Sequence, residues 1–186
     1  AGLSSSAALE SAVGFAHNTV FNLGFDRAQL AKIGQMTEHN YVGVRCGIMD
    51  QFASLFGEAG KVIRLDCRSL EYKPEPFDPK GCRVVLFDTQ VKHTLASSEY
   101  NVRRAQCEAG VAVILKHVGG IESLRDVTMD MLNTYKDEMD PIVYRRCSYV
   151  INENNRLLEA CAALEKGDYV TFGQKMNGSH EGLSKW

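Results

Sequence analysis

The chain has 186 residues, 45% of them hydrophobic, and a formal net charge of −2 at pH 7. That length suits one large domain or parts of two, with enough apolar mass for a core. The near-neutral balance excludes a general attraction to nucleic acid or anionic membranes, so any anion binding must be local.

The first element in chain order is a helix from Ser4 to about Phe21, with apolar residues at Leu9, Val13, Ala16, Val20 and Phe21. Gly24 ends it, and Asp26 can cap a second helix through Leu30, Ile33 and Met36 to about Asn40. A loop with Gly43 leads to a short helix over Met49–Phe56, stopped by Gly57. The period then changes. Lys61–Asp66 and Leu70–Lys73 read as strands. A proline-bearing stretch, Pro74–Pro79, links them to a buried strand over Arg83–Asp88 and is the best candidate for a domain boundary. Ser97–Val118 reads as a helix stopped by Gly119-Gly120, and Glu122 to about Tyr135 as one or two short helical turns. Asp140-Pro141 starts a long helix. Its stripe Val143, Val150, Asn154, Leu157, Cys161 and Leu164 is expected to face a core. Gly167 ends that helix and Asp168 caps the next. The class is mixed α+β without regular βαβ alternation. No stretch approaches the ~20 apolar residues of a membrane span. The six cysteines (Cys46, Cys67, Cys82, Cys107, Cys147, Cys161) show no C-x-x-C pair and no zinc-like spacing with histidine. They are expected to be reduced, mostly buried thiols in a cytosolic protein.

Four segments carry chemistry. In Gly2-Leu3-Ser4-Ser5-Ser6, a glycine admits a ligand close to the backbone. Hydroxyls and the free N–H groups of a helix start then face it together. One cap needs one hydroxyl, so three serines point to a phosphate cradle rather than a simple cap. No lysine follows in the spacing of a Walker loop. Asp50 lies early in the short helix. It can accept a proton from a hydroxyl, or it can simply favour its helix N-terminus electrostatically. Glu38, near the end of the second helix, opposes the macrodipole there, and a carboxylate with a serine hydroxyl and phosphate oxygens suits magnesium. His39 reads as structural, since no partner ligand sits at metal spacing. Tyr100, in the first turn of the helix from Ser97, either offers its hydroxyl and ring to a sugar or packs in the core with its hydroxyl exposed. Glu99 with Arg103 and Arg104 with Glu108 are i,i+4 pairs on a solvated face.

Gly2-Leu-Ser-Ser-Ser-Ala-Ala-Leu-Glu10, Cys46-Gly-Ile-Met-Asp-Gln-Phe52, Asp66-Cys-Arg-Ser-Leu-Glu71 and Leu95-Ala-Ser-Ser-Glu-Tyr-Asn-Val-Arg-Arg104 occur in this order, with Gly167-Asp-Tyr and Ser179-His180 after them. Together they make the chain closely resemble the galactokinases of the GHMP small-molecule kinase superfamily, over essentially its whole length. The resemblance implies a two-domain α+β GHMP kinase fold, with a ribosomal S5 domain 2-like N-terminal part and a ferredoxin-like C-terminal part. Residues 1–80 would be the later part of the ATP- and magnesium-binding domain, and residues 81–186 the earlier part of the C-terminal domain.

The implied reaction moves the γ-phosphoryl group of ATP to the C1 hydroxyl of galactose. Gly2, Leu3, Ser4, Ser5 and Ser6 would wrap the ATP phosphates. Ser6 and Glu38 would hold Mg2+. Asp50 would be the base, and Gly47, Asp50 and Tyr100 would contact the sugar. The implied protein is cytoplasmic, takes only small-molecule partners and needs no obligate protein partner. A kinase for N-acetylgalactosamine or another hexose and a silent galactose-sensing regulator are the alternatives. The intact serine motif favours an enzyme. The family's N-terminal sugar-binding signature and its C-terminal glycine-rich motif are not in this sequence. The chain is therefore expected to be an internal piece with no more than trace activity by itself.

Overall fold

The computed structural model describes residues 3–78, 81, 85–87 and 96–185, with side chains omitted at 96–98. It separates into two compact units, Ala1–Tyr100 and Asn101–Trp186.

The first unit packs three helices and a hairpin. Helix α1 is Ser5–Val20, α2 is Arg27–Thr37 and α3 is Met49–Phe56, the last matching the sequence expectation at both ends. Asp26 caps α2 reciprocally. Its carboxylate accepts from the Gln29 N–H, and the Gln29 side chain accepts from the Asp26 N–H, both at 2.8 Å. After Thr37 the chain widens into one π-helical turn, Glu38–Val42, closed by Gly43 in a left-handed conformation. Helix α1 does not bury its apolar stripe. Leu9, Val13, Val20 and Phe21 are exposed, and the buried positions are the small Ala7 and Ser11. Small side chains there let α1 lie close to α2 and α3. The core of this unit is Ala31, Ile48 and Phe52, with Leu55, Phe56, Ile63, Leu65 and Leu70 packed around it. Phe52 and Phe56, one turn apart on α3, stack at 4.0 Å between ring centroids, and Tyr72 meets Phe52 edge-on.

Strands β1 (Lys61–Leu65) and β2 (Tyr72–Pro76) pair antiparallel, with Ile63 opposite Pro74 and Lys61 opposite Pro76. The second strand thus begins later than Leu70 and runs through two prolines of the expected linker. Proline is tolerated because, among the described residues, β2 has β1 as its single neighbour, and an edge strand can leave one row of positions without an N–H donor. Of the expected strand over 83–88, only residues 85–87 are described. They are exposed and not in a strand, so the expectation of burial fails there.

In the second unit, helix α4 (Ala96–Leu115, entering from the preceding residues) is followed by a 3-10 turn Leu124–Asp126, α5 (Met129–Thr134), a 3-10 turn Lys136–Glu138, α6 (Pro141–Glu165) and α7 (Tyr169–Lys185). The short helical pieces between α4 and α6 agree with the sequence reading. The Asp140 carboxylate caps α6 by accepting from the Ile142 N–H at 2.7 Å. Gly167 ends α6 in a left-handed conformation, and Asp168 accepts from the Thr171 N–H at the start of α7. The core is built from Ile114, Ile121, Leu124, Val127, Leu132, Met139, Cys147 and Ile151. The expected stripe on α6 needs correction at its centre. Asn154 and Leu157 are exposed, and Cys147 and Ile151 take the buried places. The turns before α6 dictate which face its first half must bury, and helical spacing alone does not carry that information. Of the two expected i,i+4 pairs on α4, Arg104–Glu108 forms at 3.1 Å. Glu99 and Arg103 do not pair among the described residues.

Candidate functional site

The start of α1 departs from an ordinary capped helix. Ser4 occupies its N-cap position with φ 51° and ψ 40°, and its side chain makes no capping hydrogen bond. A left-handed backbone at a non-glycine residue costs about 1–2 kcal/mol and is concentrated at ligand-gripping turns. Ser4, Ser5 and Ser6 are exposed, Leu3 is exposed, and no acidic residue stands in the first turn. Among the described residues the first N–H groups and the serine hydroxyls of α1 thus face solvent together at the positive end of the helix dipole, as anion binding requires. Gly2, the other member of the motif, lies outside the described residues.

Asp50 sits in the first turn of α3 and is half-buried. Among the described residues nothing donates a hydrogen bond to its carboxylate. Its backbone oxygen accepts from Ser54 Oγ at 3.0 Å. The loop in front of it is fixed from α2 and the π-helical turn. The Cys46 carbonyl accepts from Gln35 Nε2 at 3.2 Å and from His39 Nε2 at 2.8 Å. His39 therefore has a structural task, as its isolation in the sequence implied. That anchor places Gly47, whose N–H donates to the Tyr100 hydroxyl at 3.2 Å. Tyr100 is 45% exposed. It is not core packing, and its hydroxyl is spent partly on the loop that carries Gly47. The structure brings Gly47 and Tyr100 together, and Asp50 follows Gly47 by three residues in the first turn of α3.

A second contact joins α3 to α1. Gln51 Nε2 donates to Glu10 Oε2 at 3.4 Å, and Gln51 is almost wholly buried. The close approach depends on Gly34 of α2, where a Cβ would stand 2.9 Å from Gln51 Cγ and 3.5 Å from Glu10 Oε2. Glu10 also contacts Glu38, which is buried at the head of the π-helical turn. Burial first, and then Glu38, push the Glu10 carboxyl above its ordinary value, against the opposing bond from Gln51. Ser6 lies one turn before Glu10 on the same face of α1. The serine motif, Glu38 and Asp50 are thereby linked through two residues, Glu10 and Gln51, that sequence reasoning did not single out. The usable signals were the i,i+4 spacing of Ser6 and Glu10 and the polar Gln51 beside Phe52 in a short helix.

The donors around Glu38 are oxygens, and two neighbouring carboxylates invite a hard cation. No group of three or more His, Cys, Asp or Glu residues among the described residues could hold a metal by itself. A cation there would need the serine hydroxyl or ligand oxygens besides the two carboxylates. The five cysteines described form no disulfide among the described residues, but only Cys147 and Cys161 are buried. Cys67 is exposed, and Cys46 and Cys107 are half-buried, which corrects the expectation of mostly buried thiols. Cys82 lies outside the described residues.

Residues 1–58 match the family described as the GHMP kinases N terminal domain. A galactokinase of Chloroflexus aggregans is 46% identical over 182 residues, covering 98% of this chain and 46% of that protein. A galactokinase of a Roseiflexus species is 43% identical over 183 residues, with the same shares covered. The crystal structure of Lactococcus lactis galactokinase complexed with galactose superimposes with a TM-score of 0.84 at 34% identity, over 97% of this chain and 46% of that one. The mixed helical and small-sheet architecture is therefore that of a partial GHMP kinase fold. The chain spans a little under half the length of these relatives. No helix among the described residues is long and apolar enough to cross a membrane.

Proposed function

We propose, from the premise that this chain is a relative of the galactokinases among the GHMP kinases, that the protein carrying it transfers the γ-phosphoryl group of ATP to the C1 hydroxyl of galactose. The observation that carries this reading is the Asp50 carboxylate, which accepts no hydrogen bond among the described residues and sits on a helix tied to α1 through Gln51 and Glu10. The proposed base and the phosphate cradle are thus carried by adjoining helices. The relatives compared give no support to an N-acetylgalactosamine kinase or a silent sensor.

In this account the backbone N–H groups and hydroxyls from Gly2 to Ser6 take the ATP phosphates at the positive end of α1. Ser6 and Glu38 hold Mg2+, which offsets charge on the phosphates when bound. Gly47 and Tyr100 form one side of the sugar site, and Asp50 accepts a hydrogen bond from the C1 hydroxyl. A sugar hydroxyl is far less acidic than a carboxylic acid, so Asp50 orients the nucleophile before it takes the proton, late in the transfer. Positioning supplies most of the acceleration, because a loose phosphoryl transition state asks for little covalent help. Residues 1–80 are the later part of the ATP-binding domain and residues 81–186 the earlier part of the C-terminal domain, in a cytoplasmic enzyme. The test is ADP release by the intact gene product with ATP and Mg2+, with and without galactose. Galactose-dependent release supports the reading; a folded protein whose release does not respond to galactose overturns it.

A further inference from the structure

The second unit contains a pair of thiols that the proposed reaction does not use. Cys107 is on α4 and Cys147 on α6. Cys147 is fully buried in the core, and Cys107 is half-buried at the edge of the same cluster. The two helices meet closely because position 110, one turn after Cys107, is glycine. A Cβ there would stand 2.3 Å from Cys147 Sγ. Cys147 Sγ lies 3.9 Å from the Cys107 carbonyl oxygen, so the two cysteines meet across the contact between α4 and α6. One thiol can be reached from solvent, and the other waits behind it.

Their chemistry divides in the same way. The hydrogen bond from Cys147, and then the nearby Arg146 guanidinium, hold the Cys107 thiol below its usual range, against partial burial and Glu108. Arg146 Nε is itself buried without a hydrogen-bond partner, so a negative sulphur nearby is welcome. The same hydrogen bond and burial push Cys147 up. The thiolate is the nucleophile in exchange with a disulfide.

We propose that Cys107 and Cys147 form a two-thiol modification site that takes a small disulfide of the glutathione class. The Cys107 thiolate attacks one sulphur of that disulfide, forming a mixed disulfide and releasing the other half as a thiolate. The Cys147 thiol attacks the Cys107 sulphur, and its proton passes to the departing small thiol. The bond to the small thiol breaks, and a Cys107–Cys147 disulfide joins α4 to α6. Two protein thiols lose two electrons in total, and one small disulfide becomes two small thiols.

The experiment treats the native protein with oxidised glutathione, blocks remaining thiols by alkylation and identifies cysteine peptides by mass spectrometry. The expected result is a peptide pair joined through Cys107 and Cys147, reversed by dithiothreitol. In Cys147→Ser the second step is lost, and glutathione should accumulate on Cys107 to about tenfold the wild-type level. In Cys107→Ser no adduct should form at Cys147. The wild-type protein in urea is the second measurement, independent of how the variants fold: there Cys107 should react no faster than Cys67. Native protein that yields no Cys107–Cys147 peptide overturns the proposal. So does a Cys147→Ser protein without the extra adduct, or an equal preference for Cys107 in urea.

Discussion

Gly110→Ala is the sharpest test of how the second unit is packed. Alanine is the better helix former, so an exposed site would gain about 1 kcal/mol from the change. Here the added Cβ would stand 2.3 Å from Cys147 Sγ and 3.3 Å from Val143 Cγ1. Ordinary contact begins near 3.4 Å, so the sulphur or the helix must move by about 1 Å. Cys147 is fully buried. Overpacking of this kind costs about 1–3 kcal/mol. The clash outweighs the propensity, and the net expectation is a loss of up to about 2 kcal/mol, seen as a fall in Tm of up to about 8 °C for a chain of this length. Thermal denaturation followed by circular dichroism measures it. Cys147→Ala in the same background removes the obstructing sulphur, so the double variant should be more stable than the sum of the two single effects. A Gly110→Ala protein at least as stable as the parent, or strict additivity, would refute the reasoning.

Three further predictions concern the first unit. Tyr100→Phe removes the acceptor for the Gly47 N–H. A lost hydrogen bond of about 0.5–1.5 kcal/mol should raise the galactose KM of the intact gene product roughly threefold to tenfold, with a smaller change in kcat; an unchanged KM would contradict it. Glu10→Gln keeps the shape but removes a charge that burial disfavours. The folded pKa is raised, so the native protein gains stability as pH falls through that value, and the gain is complete below the unfolded value near 4.5. The variant should therefore have a higher Tm than the parent at about pH 7.5 and lose that lead by about pH 4. A lead that grows on acidification would show the sign to be wrong. Asp26→Ala removes one half of the capping box, costs about 1 kcal/mol, and should speed amide exchange in the first turn of α2 about fivefold. Exchange unchanged in that turn would contradict the cap.

Local signals were legible, and long-range ones were not. Asp26, Asp140 and Asp168 announce helix starts because a cap is satisfied within three residues, and α3 is bounded by Gly57 in the same local way. The hairpin register is different. Pro74 and Pro76 argue against a strand until it is clear that β2 lies at an edge, which depends on what else joins the sheet. The buried face of α6 also depends on the turns that precede it, so Asn154 and Leu157 were misplaced. In the candidate site, Ser4–Ser6, Glu38, Asp50 and Tyr100 could be picked out by residue type. The contacts that assemble them could not, because Gly47 meets Tyr100 and Glu10 meets Gln51 across long stretches of chain. Helical spacing hinted at Glu10 through Ser6, but nothing in the sequence said that Gly34 would clear the way for Gln51.

The account rests most heavily on Asp50 acting at the C1 hydroxyl. The direct measurement is phosphorus NMR of the product made from ATP and galactose by the intact gene product and by its Asp50→Asn variant. The account predicts phosphate on the anomeric carbon alone, and a kcat lower by about 100-fold or more in the variant, with the ATP KM little changed. Phosphate on another hydroxyl, or an Asp50→Asn enzyme within a few-fold of the parent, would contradict it.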